Sequence, residues 1–594
     1  MAERTFITPD VIIKKAIQKA LSLLNLPIVD IGLEHPADEA HGDYSSNVAM
    51  QLFPKRLSLQ DTSRLNLEVV KNPRELAQKV VSLLEKDQEL KKIVSKIEIA
   101  GPGFINFWLS EGFLTTTMIH IIEVGDMFGS SEELKGKNVI IEYTDPNPFK
   151  EFHIGHLYSN IAGESLARLF EVQGAMVKRA NYQGDVGMHV AKSLWALQKN
   201  MTDKKLSLDE LEKKRLSNRM EFLGQAYAMG ATAYEQDEEA KKQIQQINRG
   251  VYEKDRKVHD LYTRGRQWSL DYFETIYKRL GTKFDYYFFE SETGRVGKEI
   301  IKKHKDFFEE SKGAIVFRGD KYGLHTRVFI NSFGLPTYEA KDLGLPFLKH
   351  DKFPYDISII VTGNEINEYF AVVLKALEQI NPELRKKTRH VSHGMVRLKG
   401  RKMSSRTGDV LRGEWLLDEA KKYAGKLGDD KISEVTSETV GVGAVKYSLL
   451  KGNIGRDIIF DFNESISLDG NSGPYLQYTY ARCQSVISKA AMSMNDLLIF
   501  RKIDKLMLEE LALIRTFYKF PETVSEAGKT FSPNVIANFL FDLAQKYNLF
   551  YQKVPILNAE TDEEKKFRLS LTAATAQVIK NGLYLLGIDV LEKM

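Results

Sequence analysis

A short apolar run, KNVIIEY at residues 137–143, leads through the turn DPNPFKEFHIGH into a stretch carrying Leu157, Ile161, Leu166, Leu169 and Phe170 at helical spacing. Gly174 closes that stretch, and AMVKRANY resumes as a second strand-forming segment. An apolar run without polar alternation suits a parallel strand covered on both faces. Strand, turn, helix and strand make a β-α-β unit, the seed of a doubly wound sheet. A second unit opens at DISIIVTGN, residues 356–364, and continues into a helix with Tyr369, Phe370, Val373, Leu377 and Ile380 facing inward.

At 594 residues the chain is several times the size at which one core stops growing, so three or four domains are expected. Residues 1–110 mix helices with short strands, close on the hairpin-like IEIAGPGFINFWL, and predict an α+β N-terminal domain. A helical connector over 111–130 follows. The doubly wound domain then spans 131–435, with charged helical segments at about 195–290 that read as a solvated insertion. Residues 436–594 carry few prolines and many amphipathic patterns, which predict an all-α bundle.

Composition narrows the class. With 43% hydrophobic and 28% charged residues the chain is an ordinary globular protein. Its single cysteine, Cys483, excludes an internal disulfide framework and any multi-cysteine zinc site, and it fits a reducing, cytoplasmic setting. Lysines interrupt the N-terminal segment, so no signal peptide is expected, and no run of roughly 20 apolar residues suggests a membrane span. A net charge of +4 neither establishes nor excludes a nucleic-acid partner.

Two motifs carry chemistry. His153-Ile154-Gly155-His156 sits at a strand-to-helix turn, where free backbone N–H groups and a partial positive charge suit a phosphate. Imidazoles three residues apart share the first helical turn and can reach one ligand, and Gly155 leaves room for a ribose or base. The alternative is one capping and one packed histidine. Lys402-Met403-Ser404-Ser405, in GMVRLKGRKMSSRTGDVL, places an ammonium among small hydroxyl residues, a loop able to close on a triphosphate. Taken alone it is equally a basic surface loop.

Together the two motifs resemble the class I aminoacyl-tRNA synthetases, whose Rossmann-type catalytic domain activates an amino acid with ATP and esterifies it to tRNA. The resemblance implies in-line attack of the amino-acid carboxylate on the α-phosphate, chemistry that needs positioning and charge neutralisation. HGDYSSNVAM at 41–50, AGPGFINFWL, the turn IEYTDPNPFKEFHIGHLYSNIAGESLARL, RANYQGDVG at 179–187 and the ending GLYLLGIDVLEKM are similar to the arginyl-tRNA synthetases in particular. That family implies L-arginine, ATP with Mg2+ and tRNA(Arg) as partners, no zinc, no membrane, a monomer, and contact of the N-terminal domain with the tRNA elbow.

By the same resemblance Glu142, Asn147, Tyr338 and Asp342 hold arginine. Tyr338 and Asp342 stand four apart on a helix, which aims both at one ligand. A guanidinium needs such carboxylate and amide oxygens. Glu365 falls where the family is expected to carry glutamine, and helix capping is its other reading. His153, His156, Lys150 and Lys402 are the catalytic candidates, and either lysine could serve the triphosphate. SGPYLQYTYARCQSVISKA, residues 472–490, resembles the family's anticodon-binding bundle. Tyr475, Tyr478 and Arg482 there combine aromatic faces with a cation, which suits unstacked bases, whereas ordinary helix packing accounts for at least two of its tyrosines. The competing functions are a class I synthetase for another amino acid, a small nucleotidylyltransferase, or a non-catalytic tRNA-binding relative.

Overall fold

The computed structural model describes residues 7–53, 70–400, 411–427, 432–493, 496, 498 and 506–594. Its centre is a parallel sheet of five strands: β1 (Asn138–Glu142), β2 (Met176–Gln183), β3 (Tyr286–Phe289), β4 (Ile357–Gly363) and β5 (Thr388–His393). They lie in the order β5-β4-β1-β2-β3. The order reverses between β1 and β4, so their carboxyl ends frame the crevice in which doubly wound sheets bind ligands. Both expected β-α-β units are present, and they meet there.

Alternation along β1 explains its apolar run. Val139 and Ile141 face a core shared with α1 (Ile154–Val172). Ile140 faces a second core with Leu343, Val372 and Leu377. That second layer is built from α2 (Glu290–Lys303), α3 (Tyr338–Lys352) and α4 (Asn367–Ile380). Glycines let α2 and α3 touch along their backbones. A Cβ on Gly297 would fall 1.7 Å from the Ala340 carbonyl oxygen, and one on Gly344 would fall 2.4 Å from that of Thr293. This contact fixes where α3 presents Tyr338 and Asp342.

The insertion is less solvated than its charge suggests. Helices Met188–Asp203, Leu216–Gln236, Glu238–Glu253 and Arg256–Leu280 enclose a core with Val190, Leu194, Leu223 and Trp268, and Phe149 from the turn after β1 belongs to it. Phe149 is fully buried at φ 65°. Its N–H donates to Ser269 Oγ at 3.0 Å, and Gly265 is shaped to its ring, since a Cβ there would come within 2.5 Å. Burying a phenylalanine stabilises by roughly 1.5–3 kcal/mol, enough to offset a left-handed residue that costs about 1–2 kcal/mol. The insertion therefore holds the turn. The mostly polar outer faces drew the solvated reading, while the inward apolar residues needed a partner from outside the segment.

At the N-terminal end, helices Pro9–Leu23 and Pro73–Leu84 pack on an antiparallel sheet of Tyr44–Ser46, Phe104–Leu109 and Val94–Ala100. Thr8 is the N-cap residue of the first helix, as its Thr-Pro-Asp start implies. At the other end lies a bundle of α5 (Gly473–Ala490), Leu508–Phe517, Phe520–Lys529, α6 (Asn534–Lys553) and α7 (Asp562–Leu585). The two ends meet: the Tyr44 hydroxyl donates to Glu522, and His35 Nε2 lies 3.2 Å from the same carboxylate. Among the described residues no helix is long and apolar enough to cross a membrane.

Candidate active site

The turn after β1 is wound tightly. Thr144 and Asp145 are left-handed, at φ 80° and 47°, where non-glycine residues settle only if their surroundings hold them. The Thr144 N–H donates to Ser159 Oγ and Asn160 Nδ2 donates to Thr144 Oγ1, both from α1. Asp145 Oδ1 accepts the Tyr182 N–H at 2.7 Å, taking the place of a strand carbonyl beside β2. Asn147 Oδ1 accepts the Gly184 N–H at 3.2 Å.

His153 and His156 cap each other. His153 Nδ1 accepts the His156 N–H at 3.4 Å, His156 Nδ1 accepts the His153 N–H at 3.2 Å, and their ring centroids are 3.4 Å apart. Both Nδ1 atoms are acceptors, so both rings carry their proton on Nε2. The alternative reading is met in part, since His153 caps α1 and His156 is buried. Burial, with the Lys150 charge added, lowers His153 to about 4. Burial and the adjacent His153 hold His156 well below the usual imidazole range. At neutral pH the pair is uncharged and offers two N–H donors beside the N-terminus of α1. Gly155 makes room for the His153 ring, which a Cβ would approach to 3.0 Å.

Lys402, Met403, Ser404 and Ser405 lie outside the described residues. The chain that follows them is fastened to the histidine turn: Ile154 N–H donates to Leu411 O at 2.9 Å, and Gly413 N–H to Phe152 O at 2.8 Å. Lys150 has its ammonium 5.4 Å from the Tyr227 ring centroid, and burial lowers its pKa. It lines a cavity of about 720 Å3 with Glu151, Gln225, Tyr272 and Arg412.

Across the crevice stands a charged group. Glu142, 2% exposed, is ion-paired at 2.7 Å with Lys349, which is 0% exposed and also donates to Ser358 Oγ. Glu290 pairs with Lys341 at 2.6 Å, likewise buried. Asp342 Oδ2 accepts the Tyr369 hydroxyl at 2.5 Å, and burial together with the Glu290 and Glu142 charges lifts Asp342 to about 7. Burial and Glu142 also push Asp145 well above the carboxylate range. Tyr338, on the same face of α3, is 54% exposed, a residue of the crevice mouth and not of the core. Glu365 caps no helix. Its carboxylate folds over Gly363, where a Cβ would meet Oε2 at 2.2 Å, and its charge acts on His393.

The structure thus brings Glu142, Asn147, His153, His156 and Asp342 around the β1–β4 reversal. Sequence reasoning passed over Asp145, Glu290, Lys341, Lys349 and His393. His393 ends β5 with its ring 4.4 Å from Tyr158 on α1, and its Nδ1 is 2.9 Å from Gly394 O. Its signal was slight, a histidine just before Gly394 in HVSHGM, because the strand it ends, TRHVSH, is not an apolar run. The buried lysines had none, because their partners are distant in sequence.

In the bundle, Arg482 lies over two tyrosine rings, 4.8 Å from Tyr478 and 5.1 Å from Tyr551. It also donates to Asn548, whose amide donates to the Tyr475 hydroxyl at 2.9 Å. Tyr480 is buried and Tyr475 half-buried, the two tyrosines that packing accounts for, and Tyr551, 42% exposed, joins the surface in their place.

Residues 120–462 match the model of the class I (R) tRNA synthetase catalytic domain, 476–594 that of the DALR anticodon binding domain, and 11–109 that of the arginyl tRNA synthetase N-terminal domain. The chain is 31% identical to an arginine–tRNA ligase of Flavobacterium psychrophilum, over 98% of each chain. It is 32% identical to one of Clostridium perfringens, over 84% of this chain and 88% of that one. In structure it resembles the Thermus thermophilus arginyl-tRNA synthetase, with a TM-score of 0.78 at 24% identity, over 98% of this chain and 100% of the other.

Proposed function

Because this chain belongs to the arginyl-tRNA synthetase family, we propose that the crevice at the β1–β4 reversal is where it joins arginine to ATP. The activity is that of an arginine–tRNA ligase in translation: L-arginine and ATP give arginyl-adenylate and pyrophosphate, and arginine then passes to the 3′ end of tRNA(Arg). In the first step an oxygen of the arginine carboxylate forms a bond to the α-phosphorus while the bond to pyrophosphate breaks. No protein nucleophile is required, so the residues contribute position and charge.

The observation that carries the assignment of roles is the reciprocal cap of His153 and His156. Two neutral imidazoles with their N–H groups on Nε2 are preorganised donors for charge that grows on the phosphate oxygens. Lys150 and Lys402 serve the β- and γ-phosphates, and Mg2+ travels with ATP, held by phosphates and water. Glu142, Asn147, Tyr338 and Asp342 receive arginine, with Glu365 at the rim. Tyr478, Arg482 and Tyr551, over Tyr475, form a platform for unstacked tRNA bases. The chain acts as a monomer in the cytoplasm.

ATP–pyrophosphate exchange with each proteinogenic amino acid, with and without tRNA, tests this reading. Exchange is expected with arginine alone and only when tRNA is present. Exchange with another amino acid, or with none, would overturn it.

A further inference from the structure

The segment HGDYSS, residues 41–46, has no part in the crevice. Gly42 is left-handed at φ 95°, and a Cβ there would come within 2.7 Å of Phe107 O, so the chain lies close along the strand Phe104–Leu109. Asp43 is thereby tied into the N-terminal sheet: its N–H donates to Phe107 O and its Oδ2 accepts the Leu109 N–H, both at 2.8 Å. Its other oxygen turns to the helical bundle, 3.4 Å from Arg515 Nε, and accepts the Tyr518 hydroxyl at 3.4 Å. The Tyr44 hydroxyl donates to Glu522. His35 spans the two contacts, with Nδ1 2.8 Å from Asp43 O and Nε2 3.2 Å from Glu522 Oε2. The rings of His35, Tyr44 and Tyr518 close the cluster, their centroids between 4.6 and 5.8 Å apart. Asp43, Tyr44 and Tyr518 are buried.

Domains of one chain move relative to one another unless the face between them is large and apolar. Here directional hydrogen bonds among buried groups do the holding, and such bonds fix one register and are costly to leave unmade. On the bundle side the contact leads to the base platform. Lys546 of α6 donates to Thr516 Oγ1 at 3.0 Å, and Lys553 of α6 pairs with Glu509 at 2.9 Å. The same helix carries Asn548 and Tyr551. On the other side the N-terminal sheet continues through the helix Glu111–Val124 to β1 and the crevice. A tRNA that engages platform and crevice together gains an effective concentration set by their spacing, and loses it when that spacing drifts.

We propose that Asp43, Tyr44 and Glu522 brace the N-terminal domain against the bundle, and that Tyr44 and Glu522 are positioning residues for tRNA, holding the platform at the distance from the crevice that one tRNA must span. This rests on the functional reading above and adds to it the contact that sets the geometry of tRNA engagement.

The test compares Tyr44→Phe, which keeps the ring and removes only the hydroxyl, with the wild type in arginine charging of tRNA(Arg). In the variant, KM for whole tRNA(Arg) rises about tenfold, the scale of one hydrogen bond to a charged group. KM for arginine and for ATP, measured at saturating tRNA, stay at their wild-type values. An anticodon stem–loop RNA of the same tRNA engages the platform alone, so its dissociation constant is unchanged. Glu522→Ala has the same signature, and adding Tyr44→Phe to it costs little more, because the two residues share one bond. An unchanged tRNA KM, an equal weakening of the stem–loop, or fully additive losses in the double variant would overturn the proposal. Failure of the wild type to charge tRNA(Arg) with arginine would instead overturn the functional reading beneath it.

Discussion

His153 and His156 exchange backbone hydrogen bonds through their Nδ1 atoms, so each ring fixes the tautomer of the other. A capping box is ordinarily built from a hydroxyl or carboxylate at each position. Here imidazoles fill both places, and the cap that starts α1 also leaves an N–H donor on the Nε2 of each ring.

Capping and catalysis can be separated at His153. Asparagine is a strong N-cap but cannot present the Nε2 donor, so His153→Asn keeps the thermal midpoint while slowing adenylate formation. His156→Ala slows it too, by about a hundredfold or more, the usual loss when a preorganised donor is removed. Rapid-quench single turnovers measure the rate, and arginine affinity should change far less. A wild-type activation rate in either variant would refute this role.

Arginine binding should depend on pH through Asp342. Its carboxyl, lifted to about 7 by burial and by Glu290 and Glu142, against the Tyr369 and Tyr182 hydroxyls, holds a proton in the empty site below neutrality. A guanidinium pairs with the ionised form, so arginine affinity rises by about tenfold from pH 6 to pH 8 and then levels. Calorimetry in buffers of different ionisation enthalpy should detect proton release at pH 6. For stability the sign is opposite: a raised acid favours the folded empty enzyme at low pH, and that contribution is lost as pH rises from the unfolded value near 3.8 through about 7. Arginine affinity independent of pH across this window would exclude the linkage.

Lys349→Met leaves Glu142 buried without its partner. Breaking a buried pair on one side costs about 3–5 kcal/mol, so the urea midpoint should fall steeply. Adding Glu142→Gln should recover much of the loss in stability, though not arginine activation. Equal midpoints for wild type and Lys349→Met would show that the pair is not holding the sheet.

Gly297→Ala reaches the α3 side of the crevice, where we propose that arginine binds, without touching Tyr338 or Asp342. The new methyl would overlap the Ala340 carbonyl oxygen at 1.7 Å and push α3 outward. Overpacking of this kind costs about 1–3 kcal/mol. Displaced Tyr338 and Asp342 should raise arginine KM while ATP KM holds. An arginine KM equal to that of the wild type would show that α3 can shift without consequence.

Arg482→Ala and Tyr551→Ala should weaken tRNA binding by about tenfold each, the scale of one lost base-stacking contact. Filter binding at two salt concentrations would separate this from general phosphate attraction, since losing the tyrosine leaves the salt slope unchanged. Unaltered tRNA affinity in both variants would place the bases elsewhere.

Local pattern was enough for much of the architecture. The apolar run at 137–143 and its return at 175–182 already specified a parallel pair with a crossover helix, because covered strands and amphipathic helices have different periods. The same turn exposed His153 and His156, three apart at a helix start. Glu365 was misjudged as a possible cap because its folding back over Gly363 is a side-chain choice that spacing does not encode.

The order of residues along the chain determined the doubly wound sheet, the helical bundle and the histidine turn, since each follows from periodicity and short-range sterics. Tertiary structure alone decided which charges are committed to one another. Lys349 meets Glu142 across more than two hundred residues, and the insertion closes on Phe149 from more than a hundred away. Ion pairs in a dry crevice depend on distance in space and on exclusion of water, and neither is written in the spacing of residues along a chain.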